Sequence, residues 1–147
     1  MGERRYIRPG VTDRLFNSLT AGLARLGVSI YGSRILAVRG RKSGEWRTVP
    51  VNVLEHAGSR YLVAPRGETE WVRNLRASGA GELRLGARRQ PFHATELSDA
   101  EKIPVLRAYI AKWWFEVKRF FELSGPDAAD GELAQIVSRH PVFRIQP

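Results

Sequence analysis

The stretch ILAVRGRKSGEWRTVPVNVLEHAGSRYLVAPRG, residues 35–67, decides the fold. It begins with a short apolar run at 35–38, which is followed by a glycine-flanked turn at 40–44. Three valines between positions 49 and 53 then alternate with proline and asparagine. This period of two is typical of a strand with one buried face, so the stretch predicts a strand pair around the turn.

Further short strands follow along the chain. A turn at 57–59 leads to a third strand at 61–64, and strands at 82–85 and 92–97 form a second pair. A last strand is predicted at 142–145. Because tight turns join most of these strands, we expect an antiparallel, barrel-like sheet with helices packed outside, which is a mostly β, α+β fold.

Segments with a helical period separate these strands. A polar arm at 1–11 precedes a predicted helix at 13–26, and a short helix is predicted at 69–77, before a turn at 79–81. A further short helix is predicted at 132–137. Neither a linker nor a repeat divides the chain, so we expect its 147 residues to form one domain with a flexible N-terminal arm.

The clearest helix begins at residue 98. Ser98 and Glu101 have the spacing of a capping box, in which each side chain binds the backbone N–H of the other residue. Apolar residues then recur every three or four positions as far as Phe120, which indicates one buried face. Pro104 lies near the start of this helix, and we expect it to delay the regular part by one turn.

The composition narrows the classes of function. The net charge of +9 attracts phosphates and other polyanions, although a basic, arginine-rich proteome would produce the same excess. The chain has no cysteine, which excludes disulfides and thiolate chemistry, and its three histidines lack the spacing of metal ligands. It contains no dinucleotide-binding fingerprint, P-loop or nucleophile elbow.

The apolar pattern predicts neither a membrane span nor a secretory signal, so we expect a cytoplasmic protein. The N-terminal helix and the basic arm, with Arg4, Arg5 and Arg8, could in addition rest on an anionic lipid surface. The basic residues match no nucleic-acid-binding motif, and we expect no nucleic acid partner.

The turn at 40–44 is the first candidate site. It places Arg41, Lys42 and Ser43 between two glycines, and Arg47 follows on the next strand. Backbone N–H groups in such a turn can converge on an anion, to which the side chains add charge and a bidentate fork. The alternative is a solvated hairpin turn, in which lysine, serine and glycine are common.

The end of the third strand is the second candidate site. The segment Ala64-Pro65-Arg66-Gly67 is expected to expose backbone groups that suit the edge of a planar heterocycle. Trp71 offers an apolar face, and Asn74 offers a donor–acceptor pair. The alternative is that Trp71 simply belongs to the core.

Aromatic residues are concentrated in the long helix, and about half of them follow its buried face. Trp114, Phe115 and Phe121 fall off this face. They could line an apolar substrate cleft or lean on a membrane or partner, whereas the alternative is a wide core face.

These pieces resemble the deazaflavin (F420)-dependent nitroreductase and quinone reductase family. The resemblance rests on Gly40-Arg41-Lys42-Ser43-Gly44-x-x-Arg47-x-x-Pro50, on the segment 61–67, and on Trp71-x-x-Asn74-Leu75-x-Ala77. Their order and spacing extend over residues 35–97. The resemblance implies a split antiparallel β-barrel, related to the flavin reductases, that binds coenzyme F420.

The resemblance also implies which residues contact the cofactor. They are Arg41, Lys42, Ser43, Arg47, Pro50, Ala64, Pro65, Arg66, Gly67, Trp71 and Asn74. The first four of these residues would hold the phosphate and the acidic tail of F420. The others would shape the strand and the wall beside the deazaflavin ring.

The implied reaction is hydride transfer from reduced F420 to an electron-poor acceptor such as a quinone, an enone or a nitroaromatic compound. Asn52 stands where a tyrosine often lines the substrate side. The helix after residue 98, which varies in the family, supplies Trp113 and Trp114 as further candidate substrate contacts. Tyr109 is the candidate proton donor, unless solvent serves.

Two other interpretations remain open. Similar barrels bind FMN, which has one phosphate and no polyanionic tail. The chain could also be a non-enzymatic carrier of an apolar or anionic ligand. A monomer and a homodimer are both compatible with this type of barrel.

Overall fold

Six antiparallel strands form a closed barrel in the computed structural model, which describes residues 33–147. The strands are β1 Ser33–Arg39, β2 Trp46–His56, β3 Ser59–Val63, β4 Ala80–Leu85, β5 Arg88–Glu96 and β6 Val142–Gln146. Around the barrel they follow the order β1-β2-β3-β6-β5-β4, and β1 closes it by pairing with β4. The predicted fold is confirmed, whereas the predicted arm at 1–11 and helix at 13–26 lie outside the described residues.

Three α-helices accompany the barrel in this part of the chain. They are α1 Glu70–Ser78, α2 Asp99–Val117 and α3 Asp130–Ile136. Short 3-10 helices, Lys118–Phe120 and Val137–Arg139, follow α2 and α3. Among the described helices, none combines the length and the apolar character needed to cross a membrane.

The strand register fills the barrel interior with aliphatic side chains. Leu36 lies opposite Val49 on β2 and Leu83 on β4. Because successive side chains of a strand point to opposite faces, the alternating valines of β2 share one face of the sheet. Helix α1 adds Val72 and Leu75, both fully buried, to the same core. The helix thereby covers the barrel and fixes the segment before it.

The prediction of a turn at 79–81 is confirmed only at Gly79 and is wrong for the next two residues. Gly79 ends α1 in the left-handed region, with φ of 69°, but β4 already begins at Ala80. Gly81 lies within β4, where a Cβ atom would come within 2.9 Å of both the Ala37 carbonyl oxygen and the Phe92 ring. The glycine is therefore required by close packing between strands and not by a turn.

A second core joins α2 and α3 to the barrel wall. The capping box at Ser98 is formed in both directions, and α2 begins directly after it at Asp99. The expected delay at Pro104 is therefore wrong, because the two capping bonds fix the first turn before the proline is reached. Of the off-stripe aromatic residues, Phe121 is buried and Phe115 is 86% exposed.

Candidate functional site

A cavity of about 630 Å³ lies between the barrel wall and α2. Its walls come from β1 and β2, from α1 and the segment that joins β3 to it, and from the second half of α2 with the 3-10 helix that follows. The predicted residues that line it are Arg47, Pro50, Asn52, Pro65, Arg66, Trp71, Asn74 and Tyr109. The predicted residues that do not line it are Arg41, Lys42, Ser43, Ala64, Gly67, Trp113 and Trp114.

The turn at 40–44 is held by its own backbone. The Gly40 N–H donates to the Glu45 carbonyl at 2.8 Å, and the Gly44 N–H donates to the Gly40 carbonyl at 2.9 Å. The Arg41 N–H donates to Oδ1 of Asn74 at 3.1 Å. The expected convergence of backbone N–H groups on an anion is therefore wrong for these three donors, and the attraction for anions rests on the side chains.

Asn74 connects this turn to the cavity. Its buried side chain accepts a second hydrogen bond from Nη1 of Arg41, at 2.8 Å, and it lines the cavity wall. The same Nη1 donates to Oε2 of Glu70 at 2.8 Å. This hydrogen bond is the main reason that the pKa of Glu70 lies below its usual range. An anion that binds Arg41 would therefore compete with the Glu70 carboxylate.

The end of β3 differs from expectation at Ala64. Its N–H donates to the Pro141 carbonyl at 2.9 Å, and its carbonyl accepts from the Gly67 N–H at 3.2 Å and contacts Nδ1 of His140 at 3.3 Å. The expectation of free backbone groups here is wrong, because Ala64 is buried and bonded on both sides. Gly67, with φ of 86°, turns the chain back after residues 65–66, which reach the cavity.

Trp71 serves both the core and the cavity. It is half-buried and packs against Phe143, with 6.1 Å between the ring centroids. It also lines the cavity, so the two interpretations of this residue are compatible. An indole in this position offers a large apolar surface to a planar ligand.

Thr69 is a site residue that the sequence analysis missed. It lines the cavity, it is 8% exposed, and it precedes α1 without capping it through its side chain. Its Oγ1 atom is buried and has no hydrogen-bond partner in the described part of the chain. An unsatisfied buried hydroxyl costs about 1–3 kcal/mol, so a polar ligand group that reached this atom would remove the cost.

Positive charge predominates among the described lining residues. Arg66 and Arg119 both lie over the Phe120 ring, at 4.6 and 4.8 Å from its centroid. Arg47 adds a third cation on β2, and the lining acids are Glu70 and Glu116. Arg119 and Glu116 were not predicted as site residues. Glu116 lies in the last turn of α2 and Arg119 lies in the 3-10 helix that follows it. Their position next to the aromatic residues of this segment was the signal that the sequence offered.

Several polar side chains that are hydrogen-bonded to one another line a second part of the cavity. Ser33 Oγ donates to Oδ1 of Asn52 at 3.2 Å, and Nδ2 of Asn52 donates to Oε2 of Glu116 at 3.2 Å. Tyr109, which is 3% exposed, also lines this region. Burial, and secondly the Glu116 carboxylate, raise the pKa of Tyr109, against a smaller opposite effect of its hydrogen bond with Asn52. The phenol is therefore neutral at physiological pH and can donate a proton or a hydrogen bond.

The two candidate tryptophans of α2 lie elsewhere. Trp113 is 1% exposed and packs against Tyr109, with 5.0 Å between the ring centroids. Trp114 is half-buried against the same core. The structure does not bring either residue to the cavity, because the apolar stripe of α2 turns Trp113 toward the barrel wall.

The raised pKa of Tyr109 predicts weaker stability at high pH. Above about pH 10 the unfolded chain loses the phenol proton while the folded protein keeps it, so the free energy of unfolding falls as pH rises. We expect Tyr109→Phe to lose less stability than the unmodified protein between about pH 9 and about pH 11. Urea unfolding at several pH values measures this difference. Tyr61→Phe is the control, and equal pH dependence of all three proteins would contradict the prediction.

Comparisons with known proteins agree with this architecture. The model of the F420H(2)-dependent quinone reductase family matches residues 16–118. A structure described as a domain-swapped dimer is 19% identical, with a TM-score of 0.57 over 92% of this chain and 93% of that chain. An F420-H2 dependent reductase is 20% identical, with a TM-score of 0.54 over 78% and 94%.

A protein of unknown function from Agrobacterium tumefaciens str. C58 is 18% identical, with a TM-score of 0.56 over 95% of this chain and 58% of that chain. At this level of identity the solved structures support the barrel fold alone. No curated protein sequence matches the chain. The family match covers more than half of the chain, and the chain therefore belongs to the F420H(2)-dependent quinone reductase family.

Proposed function

We propose that this protein is an oxidoreductase that uses reduced F420 to reduce an electron-poor small molecule, such as a quinone, an enone or a nitroaromatic compound. The observation that supports this most directly is the cavity, whose described lining carries Arg47, Arg66 and Arg119 together with the neutral polar side chains of Asn52 and Tyr109. Such an arrangement suits a cofactor with an anionic tail beside a neutral acceptor.

The cofactor side consists of two groups of residues. Arg47 in the cavity, with Arg41, Lys42 and Ser43 on the adjoining turn, would hold the phosphate and the acidic tail. The ring would lie against a wall made by Pro50, Pro65, Arg66, Trp71 and Asn74, with Ala64 and Gly67 shaping the backbone behind it. The unpartnered Thr69 hydroxyl, which lines the same wall, fits a polar edge of such a ring.

The protein's own residues would then position the acceptor and supply a proton. Bound F420 supplies the hydride. Tyr109 would hold a proton on its phenol oxygen beside the cavity, where Asn52 also lies. The cavity is lined by apolar groups of β2 and α2, which limit the access of water during the transfer.

A titration tests the cofactor assignment. The purified protein is titrated with F420 and, separately, with FMN, and binding is followed by tryptophan and cofactor fluorescence at low and high salt. We expect micromolar or tighter F420 binding that weakens with salt, and much weaker FMN binding, because only F420 has a polyanionic tail. Tight binding of FMN in preference would support the flavin alternative, and binding of neither would contradict the proposal.

A second measurement separates an enzyme from a carrier. Reduced F420 is mixed with the protein and with a quinone, an enone or a nitroaromatic compound, and cofactor oxidation is followed by absorbance. Oxidation that depends on the protein supports the reductase. F420 binding without oxidation by any acceptor class would support a carrier instead.

The remaining expectations are part of the same proposal. The cytoplasmic location, the single-domain organisation and the monomeric or homodimeric state are predictions. Contact of the N-terminal helix with a membrane concerns residues outside the described part of the chain.

A further inference from the structure

One acidic side chain lies at the end of the cavity where the acceptor would bind. Glu116 is in the last turn of α2, seven residues after Tyr109, and both residues line the cavity. Between them, at Trp113, α2 departs from helical geometry, with φ of −123° and ψ of 25°. The break and the burial of Trp113 fix the turn that carries Glu116.

A hydrogen bond from Asn52 fixes the position of the Glu116 carboxylate. The amide oxygen of Asn52 accepts from Ser33, so its Nδ2 group points the other way and donates to Glu116 at 3.2 Å. A carboxylate can only accept hydrogen bonds, which makes this orientation of the amide the one that satisfies both partners. The side chain of Glu116 is thus tethered to the cavity wall although the residue is exposed.

Among the described residues, the other charged side chains that line the cavity are one acid and three arginines. The second lining acid, Glu70, forms an ion pair with Arg41 at 2.8 Å on the side of the anion turn. Arg66 and Arg119 lie over Phe120, and Arg47 is on β2. The cavity as a whole therefore attracts anions, while the contact with Asn52 places one negative charge beside the phenol of Tyr109.

We infer that Glu116 is a specificity-determining residue for the acceptor: its negative charge favours neutral or hydrogen-bond-donating acceptors and disfavours anionic ones. This inference rests on the proposed function and specifies the substrate class of the same cavity. A like charge repels an anionic substituent, and the repulsion decreases with salt.

Two quinones that differ in one charge test the inference. The specificity constants kcat/KM for naphthoquinone and naphthoquinone sulfonate are measured with reduced F420 for the unmodified protein and for Glu116→Gln. Glutamine preserves an acceptor for the Asn52 amide and removes the charge. We expect the ratio of the sulfonate to the neutral value to rise about threefold or more, and the effect to shrink at about 0.5 M NaCl.

Two variants serve as controls. Glu122→Gln removes the same charge from a residue that pairs with Arg139 at 3.0 Å and does not line the cavity, so its ratio should not change. Glu116→Asp retains the charge and should retain the ratio of the unmodified protein. An unchanged ratio in Glu116→Gln, or an equal change in Glu122→Gln, would overturn the inference while leaving the reductase function intact.

Failure of the proposed function would be recognised separately. If the unmodified protein oxidises reduced F420 with no quinone, enone or nitroaromatic compound, the reductase proposal fails. The charge preference is then read from the dissociation constants of the two quinones, measured by quenching of tryptophan fluorescence without cofactor. The same rise in the ratio of affinities in Glu116→Gln supports the inference, and an unchanged ratio rejects it.

Discussion

Replacement of both Arg41 and Lys42 by alanine is expected to raise the dissociation constant of F420 about tenfold or more. The backbone N–H groups of Gly40, Arg41 and Gly44 are engaged in hydrogen bonds within the protein, so we expect the side chains to supply most of the attraction for anions. The guanidinium of Arg41 already contacts Glu70, and the carboxyl groups of the cofactor tail would replace that contact. The titration described for the cofactor measures the change at low and high salt.

A matched double variant shows whether position or total charge matters. Arg88 and Arg89 begin β5, directly after the tight turn that joins β4 to β5, and neither lines the cavity. Their replacement by alanine removes the same two charges, and we expect the dissociation constant of F420 to change much less. An equal loss in both double variants would attribute the attraction to the net charge alone, and no loss in either would remove the turn from the cofactor site.

The fold was predictable because its strands have strong local signals. The alternating valines of β2 and the glycine-flanked turn before it fix one strand pair, and the capping box fixes the start of α2. The errors arose where packing between strands decides the residue type. Gly81 has the appearance of a turn residue in the sequence, but the closeness of β1 and β5 is what requires a glycine there. Periodicity cannot indicate such a distance.

The site was predictable in its residue types but less so in its geometry. Arg47, Asn74 and Trp71 line the cavity, as their spacing suggested. The backbone of Ala64 contacts Pro141 and His140, which lie more than 70 residues later in the chain. Glu116 belongs to the cavity because Asn52 on another element binds it. Contacts of this kind depend on tertiary structure, which a single sequence does not display.

An ion-pair network around the buried Glu68 carboxylate links the proposed cofactor wall to the barrel. Arg76 on α1 donates from Nη1 and Nη2 to both carboxylate oxygens of Glu68, at 3.0 and 3.2 Å. It also donates from Nε and Nη2 to Glu96 on β5, at 2.7 and 2.8 Å. Glu68 is 8% exposed and belongs to the segment that carries Thr69 into the cavity. The network therefore fixes that segment against both α1 and β5.

Arg76→Met is expected to lower the free energy of unfolding by about 2 kcal/mol, because it removes the hydrogen bonds that the guanidinium donates to the buried carboxylate of Glu68 and to Glu96. Urea unfolding measures the loss. Arg73→Met is the matched control: its ion pair with Glu70 is exposed and 3.8 Å long, so we expect a change of about 0.5 kcal/mol or less. If the cost comes from the lost hydrogen bonds to the buried Glu68 carboxylate, adding Glu68→Leu to Arg76→Met should restore about 1 kcal/mol or more. A double variant no more stable than Arg76→Met would show instead that the arginine stabilises the protein through its hydrogen bonds to Glu96 and its own packing.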